Sequence, residues 1–144
     1  MPEGPGRFDL TGRERLMLYA VAIQTGLRAG ELRSLTRGQL FLDEHKPFVR
    51  CKAGSTKNAK DARQYIQSDL ANALKQASNG MSVFSLPGKA CMAEMLRKDL
   101  ADTRRRWLES VQHNPDEFEL RTKSDFLCPV NNDGEHLDFH SLRH

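Results

Sequence analysis

The segment Thr25–Leu32, reading T-G-L-R-A-G-E-L, constrains this chain more than any other. An apolar pattern of helical period enters it, Gly26 breaks the pattern, and Arg28 stands at the start of a shorter amphipathic stretch. Glycine ends a helix at little conformational cost because it carries no Cβ. Upstream, Thr11 and Glu14 have capping-box spacing, each side chain able to satisfy an orphan backbone donor. Leu16, Leu18, Tyr19, Ala22 and Ile23 then recur at roughly helical spacing, which predicts a helix over 12–24 buried on most of its circumference. Residues 29–35 predict a second short helix with Leu32 and Leu35 on one face, and 36–39 turn the chain out of it.

Three strand-like segments follow at 40–42, 48–51 and 63–66, short and bearing aromatic or β-branched residues. They suit a small antiparallel sheet whose second hairpin carries Lys52, Lys57, Lys60 and Arg63. Ser68 or Asp69 caps a helix through 77, with Leu70, Ala73, Leu74 and Ala77 on one side. After Pro87-Gly88 a longer helix is expected over 90–111, with Met92, Met95, Leu96, Leu100, Trp107 and Leu108 facing inward. Asn114-Pro115 ends it, and 116–123 is too charged to assign. Residues 126–130 suit a strand, Asp133-Gly134 a turn, and 137–139 the extended entry to a further helix. The fold class is therefore α+β and mainly α-helical, with helices packed on a small antiparallel three-stranded sheet. Residues 1–10, with two prolines and two glycines, suit a lead-in or interdomain linker, leaving 11–144 as one domain.

Net charge does not by itself identify a partner, because 22 Lys and Arg stand against 19 Asp and Glu. Clustering is more informative. The three cysteines, Cys51, Cys91 and Cys128, are odd in number and show no C-x-x-C pairing, which argues against a disulfide framework or a zinc ribbon. No apolar run is long enough to span a bilayer and Met1–Gly6 lacks signal-peptide features. The expectation is a soluble, cytoplasmic protein with no membrane partner.

Two clusters can carry chemistry. The Arg28 guanidinium, just after a turn, can bind two phosphate oxygens at once, and Glu31 one turn on can hold either that guanidinium or the backbone. The plainer reading is a surface ion pair at a helix start. His140 and Arg143 are three residues apart and share a face in a helix, with His144 close by. Two histidines at this spacing could hold a metal, but zinc requires a third ligand that no motif supplies, so no metal is expected.

Together T-G-L-R-A-G-E-L, the basic hairpin S-T-K-N-A-K-D-A-R and the closing F-H-S-L-R-H resemble, in that order and over nearly the whole chain, the catalytic domain of the tyrosine recombinase or phage integrase family. In that family a tyrosine attacks a DNA phosphodiester, forms a 3′-phosphotyrosyl link without metal or ATP, and a 5′-hydroxyl reverses the step. Charge on the non-bridging oxygens of the transition state suits a pair of arginines. The resemblance makes Arg28 the first of these and Arg143 the second, with Glu31 supporting Arg28. It gives Lys57 the role of protonating the leaving 5′-oxygen, with Lys52 and Lys60 as competitors, and Arg63 beside them on DNA. His140 takes a hydrogen-bonding or proton-transfer role and His144 a structural one. The implied partner is double-stranded DNA, the implied cofactor none, and the implied parent a prokaryotic, nucleoid-associated or mobile-element recombinase that is tetrameric on DNA.

The family's nucleophilic tyrosine lies downstream of the H-x-L-R-H box, and neither Tyr19 nor Tyr65 occupies its place. The expectation is a partial, truncated catalytic domain that neither cleaves nor joins DNA by itself. The rival readings are a DNA-binding module that keeps the phosphate-clamping surface without chemistry, and an unrelated helical interaction domain whose arginines are surface charges.

Overall fold

The computed structural model describes residues 10–51, 62–77, 83, 84 and 86–143. It is α+β with a small three-stranded antiparallel sheet, as the patterning predicts, and among the described residues no helix is long and apolar enough to cross a membrane. The chain divides into two compact units, Met1–Pro87 with Leu142–His144, and Gly88–Ser141.

In the first unit α1 spans Gly12–Thr25 and begins with the expected capping box: the Glu14 amide donates to Thr11 Oγ1 at 3.1 Å and the Thr11 amide to Glu14 Oε2 at 2.7 Å. Its buried stripe is Met17, Leu18, Val21 and Ala22 with Arg15 and Thr25. Leu16 and Ile23, expected inside, are exposed, and Tyr19 is half-buried. The pattern misleads because residues 16–23 are apolar around the whole helix, so spacing alone selects no face. Arg15 is accommodated inside because its guanidinium donates to the Leu10 carbonyl at 2.9 Å.

Helix α2, Ala29–Arg33, is shorter than the predicted 29–35 stretch, although Leu32 and Leu35 are both buried. The strands β1, Leu40–Phe41, β2, Phe48–Cys51, and β3, Ala62–Tyr65, lie in the order β1-β2-β3, with Phe41 opposite Phe48, Phe48 opposite Tyr65 and Arg50 opposite Arg63. Helix α3, Ser68–Gln76, is capped by neither Ser68 nor Asp69. Gln67 is its N-cap, and the Gln67 amide is satisfied by Gln24 Oε1 of α1 at 2.8 Å, so the tertiary contact replaces a local cap. Its buried residues are Leu70, Ala71 and Leu74; Ala73 and Ala77 are half-buried. Helix α1 packs on α3 and β3. Leu18, Val21, Leu32, Leu35, Val49 and Leu74 are each at most 1% exposed, and each such side chain contributes about 1.5–3 kcal/mol of burial.

In the second unit α4, Lys89–Glu109, packs on α5, Pro115–Lys123. Met92, Met95 and Leu96 are buried as expected, while Leu100, Trp107 and Leu108 are half-buried. The charged stretch left unassigned by its composition is α5. Asn114 caps it by accepting from the Glu117 amide at 3.2 Å, Pro115 opens its first turn, and Asp116 and Glu117 favour the dipole there. Arg121 holds it to α4, donating to the Trp107 carbonyl at 2.9 Å with its Cζ 4.9 Å from the indole centroid. Arg104 reaches back from α4 to the carbonyls of Thr122 and Phe126. Residues 126–130 do not form the expected strand. Val130 makes one isolated bridge to His136, closing a turn in which Asn131 Oδ1 accepts from the amides of Asp133 and Glu135 and Gly134 adopts φ 79°. Local side-chain bonds there take up backbone groups that a strand would offer to a neighbour.

Candidate functional site

Arg28 is placed by its neighbours. Thr25 Oγ1 donates to the Val21 carbonyl at 2.6 Å and accepts from the Leu27 amide at 3.3 Å, Gly26 ends α1 at φ 69° with its amide on Ala22, and Leu27 is buried. The chain on the other side is anchored by Leu32, which is fully buried. Between these anchors Arg28 is exposed. It is the N-cap of α2, with extended backbone, rather than a residue of its first turn. Its amide donates to Glu31 Oε2 at 2.7 Å, which is the backbone-capping alternative expected for Glu31. Because α2 is only five residues long, the aligned peptide dipoles that favour anions at a helix start are few here.

Cys51, the last residue of β2, is buried, and burial first and the Glu31 carboxylate second push its thiol above the ordinary range. Lys52, Lys57 and Lys60 follow Cys51 and lie outside the described residues. Arg63, on β3, is exposed, with its Cζ 4.6 Å from the centre of the Phe48 ring.

The closing motif forms a short 3-10 helix over Phe139–Arg143 in place of the expected α-helical start. Asp138 initiates it: Ser141 donates to Asp138 Oδ1 through both its amide and its hydroxyl at 2.9 Å, and the Asp138 amide donates to Ser141 Oγ at 3.2 Å. These bonds from Ser141, its side chain first and its backbone next, hold the Asp138 carboxyl below the usual carboxylate range, with a smaller contribution from His140. Sequence reasoning missed Asp138, although D-F-H-S has the spacing of a local cap. Phe139 is buried and His140 is exposed. Positions 140 and 143 are three apart, a separation that eclipses in a 3-10 helix. His144 lies outside the described residues, while the backbone of Leu142 and Arg143 belongs to the compact unit that holds Arg28.

Two further residues escaped the sequence reading. Tyr65 is 56% exposed and Arg50 is exposed directly opposite Arg63. The alternation in F-V-R-C and A-R-Q-Y carried that signal, because the register puts Phe48, Arg50, Arg63 and Tyr65 on the face away from Val49 and Cys51. Among the described residues no group of three or more His, Cys, Asp or Glu side chains could hold a metal ion. Comparison with protein-family models, with curated proteins and with solved structures gives no match to this chain.

Proposed function

We propose that this chain is the phosphate-clamping part of a tyrosine-type site-specific DNA recombinase. Arg28 and Arg143 bind the non-bridging oxygens of one backbone phosphate and Lys57 of the basic hairpin protonates the leaving 5′-oxygen, while His140 keeps the hydrogen-bonding or proton-transfer role that the resemblance implies. Glu31 fixes the backbone from which Arg28 projects. The observation that most supports this reading is that the backbone of Leu142 and Arg143 groups with the unit carrying Arg28, although the intervening residues 88–141 form a unit of their own.

A second reading, DNA binding without chemistry by this chain, is favoured by its two tyrosines. Tyr19 is half-buried on α1, and Tyr65 projects from the sheet face opposite to Cys51. The two readings share the duplex partner, and in both this chain by itself binds a nicked suicide duplex reversibly; a covalent adduct would show that one of its own tyrosines is the nucleophile and contradict both. Both require affinity for duplex DNA that falls with salt. Each phosphate neutralised corresponds to a loss of roughly 3.5-fold between about 50 and 200 mM salt. Duplex affinity indifferent to salt, or to Arg28→Ala, would overturn the proposal.

A further inference from the structure

Arg28 takes its backbone direction from α2. Its amide donates to the Glu31 carboxylate at 2.7 Å and its carbonyl accepts from the Leu32 amide at 2.9 Å, so both main-chain polar groups are engaged by that helix. A helix of five residues with Gly30 inside it is not stable alone, because the first turn is costly to nucleate and glycine is a weak helix former. Contacts outside α2 therefore fix its axis. Burial of Leu32 and Leu35 holds it to the core, but burial is non-directional. Directional bonds come from Val83 and Pro87. The Arg33 guanidinium donates through Nη2 to the Pro87 carbonyl at 2.7 Å, and the Val83 amide donates to the Leu35 carbonyl at 3.2 Å. Phe84, 5% exposed, anchors the chain beside Val83 in the core.

Arg28 and Arg33 bracket the same helix with opposite dispositions. Arg28 is exposed at its N-terminal end, whereas Arg33, in the last turn, is half-buried with its guanidinium on a carbonyl 54 residues away in sequence. A charged donor makes a shorter and stronger bond than an amide does, and partial burial strengthens it further by lowering the local dielectric. Of the two ties, the Arg33 bond is thus the one that holds the end of α2. Without it the helix keeps its buried leucines but can pivot about them, and Arg28 moves with it.

We propose that Arg33 is a positioning residue: by holding the C-terminal end of α2 to the Pro87 carbonyl, it sets the direction from which the Arg28 guanidinium meets a DNA phosphate. This role rests on the proposed clamp. The test combines fluorescence anisotropy of the full chain on a labelled duplex with amide exchange. Arg33→Met keeps the aliphatic stem but removes the donor. It should weaken duplex binding roughly three- to tenfold, the range of one lost hydrogen bond. The protection factor of the Leu32 amide should fall, while that of the Gly26 amide at the end of α1 is unchanged. Arg33→Lys keeps a donor for the Pro87 carbonyl and should restore most of the affinity. In an Arg28→Ala background Arg33→Met should change affinity by less than about twofold, because its effect passes through Arg28. Should Arg33→Met not fold, the same cycle is run with Arg33→Gln under the same criteria. The proposal is overturned if duplex affinity or Leu32 protection is unchanged by the Arg33 substitution. It is overturned equally if the loss is as large in Arg28→Ala as in the parent, which would make Arg33 a separate phosphate contact. Failure of the clamp registers separately, as duplex affinity indifferent to Arg28→Ala, and removes the Arg33 role with it.

Discussion

Replacing Glu31 separates two roles that its carboxylate performs. One Oε2 accepts from the Arg28 amide at 2.7 Å, and the same negative charge raises the Cys51 thiol beyond the effect of burial. Glu31→Ala removes both. Loss of a capping acceptor at a helix start costs about 0.5–2 kcal/mol. In a chain of this size each kcal/mol lowers Tm by roughly 2–4 °C. Glu31→Gln keeps an oxygen able to accept from Arg28 but removes the charge. It should therefore leave Tm close to that of the parent while the Cys51 thiol falls toward its ordinary value, stopping short because burial, the larger cause, remains. Thiolate absorbance followed against pH in a Cys91→Ser, Cys128→Ser background reads Cys51 alone, and thermal unfolding reads the cap. An unchanged Cys51 titration in Glu31→Gln would show that the carboxylate does not reach the end of β2. An unchanged Tm in Glu31→Ala would show that Arg28 is not held by its amide. The pH dependence has a definite sign: a thiol raised by folding keeps its proton longer in the native state, so the chain should lose stability as pH rises above the ordinary thiol value of 9.0.

Gly26→Ala should cost about 1–2 kcal/mol in urea unfolding, since φ is 69° and a Cβ there would meet nothing within 4 Å, leaving backbone strain as the whole effect. A cost near zero would mean that α1 does not end in a left-handed residue. The 3-10 helix bearing His140 should loosen as pH falls through the depressed Asp138 value, because the carboxylate that accepts from Ser141 is stabilised only while ionised. The protection factor of the Ser141 amide, corrected for the intrinsic pH dependence of exchange, should fall in acid and be lower at neutral pH in Asp138→Ala; a protection factor unchanged in that variant would contradict the cap.

The short β-strands were legible because aromatic and β-branched residues cluster between clear turn signals, and the Thr11–Glu14 box located the start of α1 within a residue. The face of α1 was not legible: Leu16, Met17, Leu18 and Ile23 are all apolar, and only packing against α3 and β3 selects Met17 and Leu18 over Leu16 and Ile23. Helix α5 was hidden by its charge. Its support comes from Asn114 and Pro115 at one end and from Arg121 against Trp107 at the other, contacts that composition does not display. For the site, T-G-L-R gave the position of Arg28 and its dependence on Gly26, while the choice of the backbone as Glu31's partner required coordinates. The hairpin lysines lie outside the described residues, so their order of importance still rests on the motif. Tyr65 was overlooked because it was weighed only as a nucleophile, and its exposure follows from cross-strand register rather than local sequence.

The central claim is that Arg28 and Arg143 grip one phosphate, and a double-mutant cycle on duplex DNA affinity tests it most directly. Each single change to alanine should weaken binding about tenfold or more, as expected for a charged hydrogen-bonding partner. If both act on the same phosphate, the double variant should lose less than the sum of the two, with a coupling of at least about 0.5 kcal/mol. Losses that add within about 0.3 kcal/mol would place the two arginines on separate phosphates and contradict the clamp.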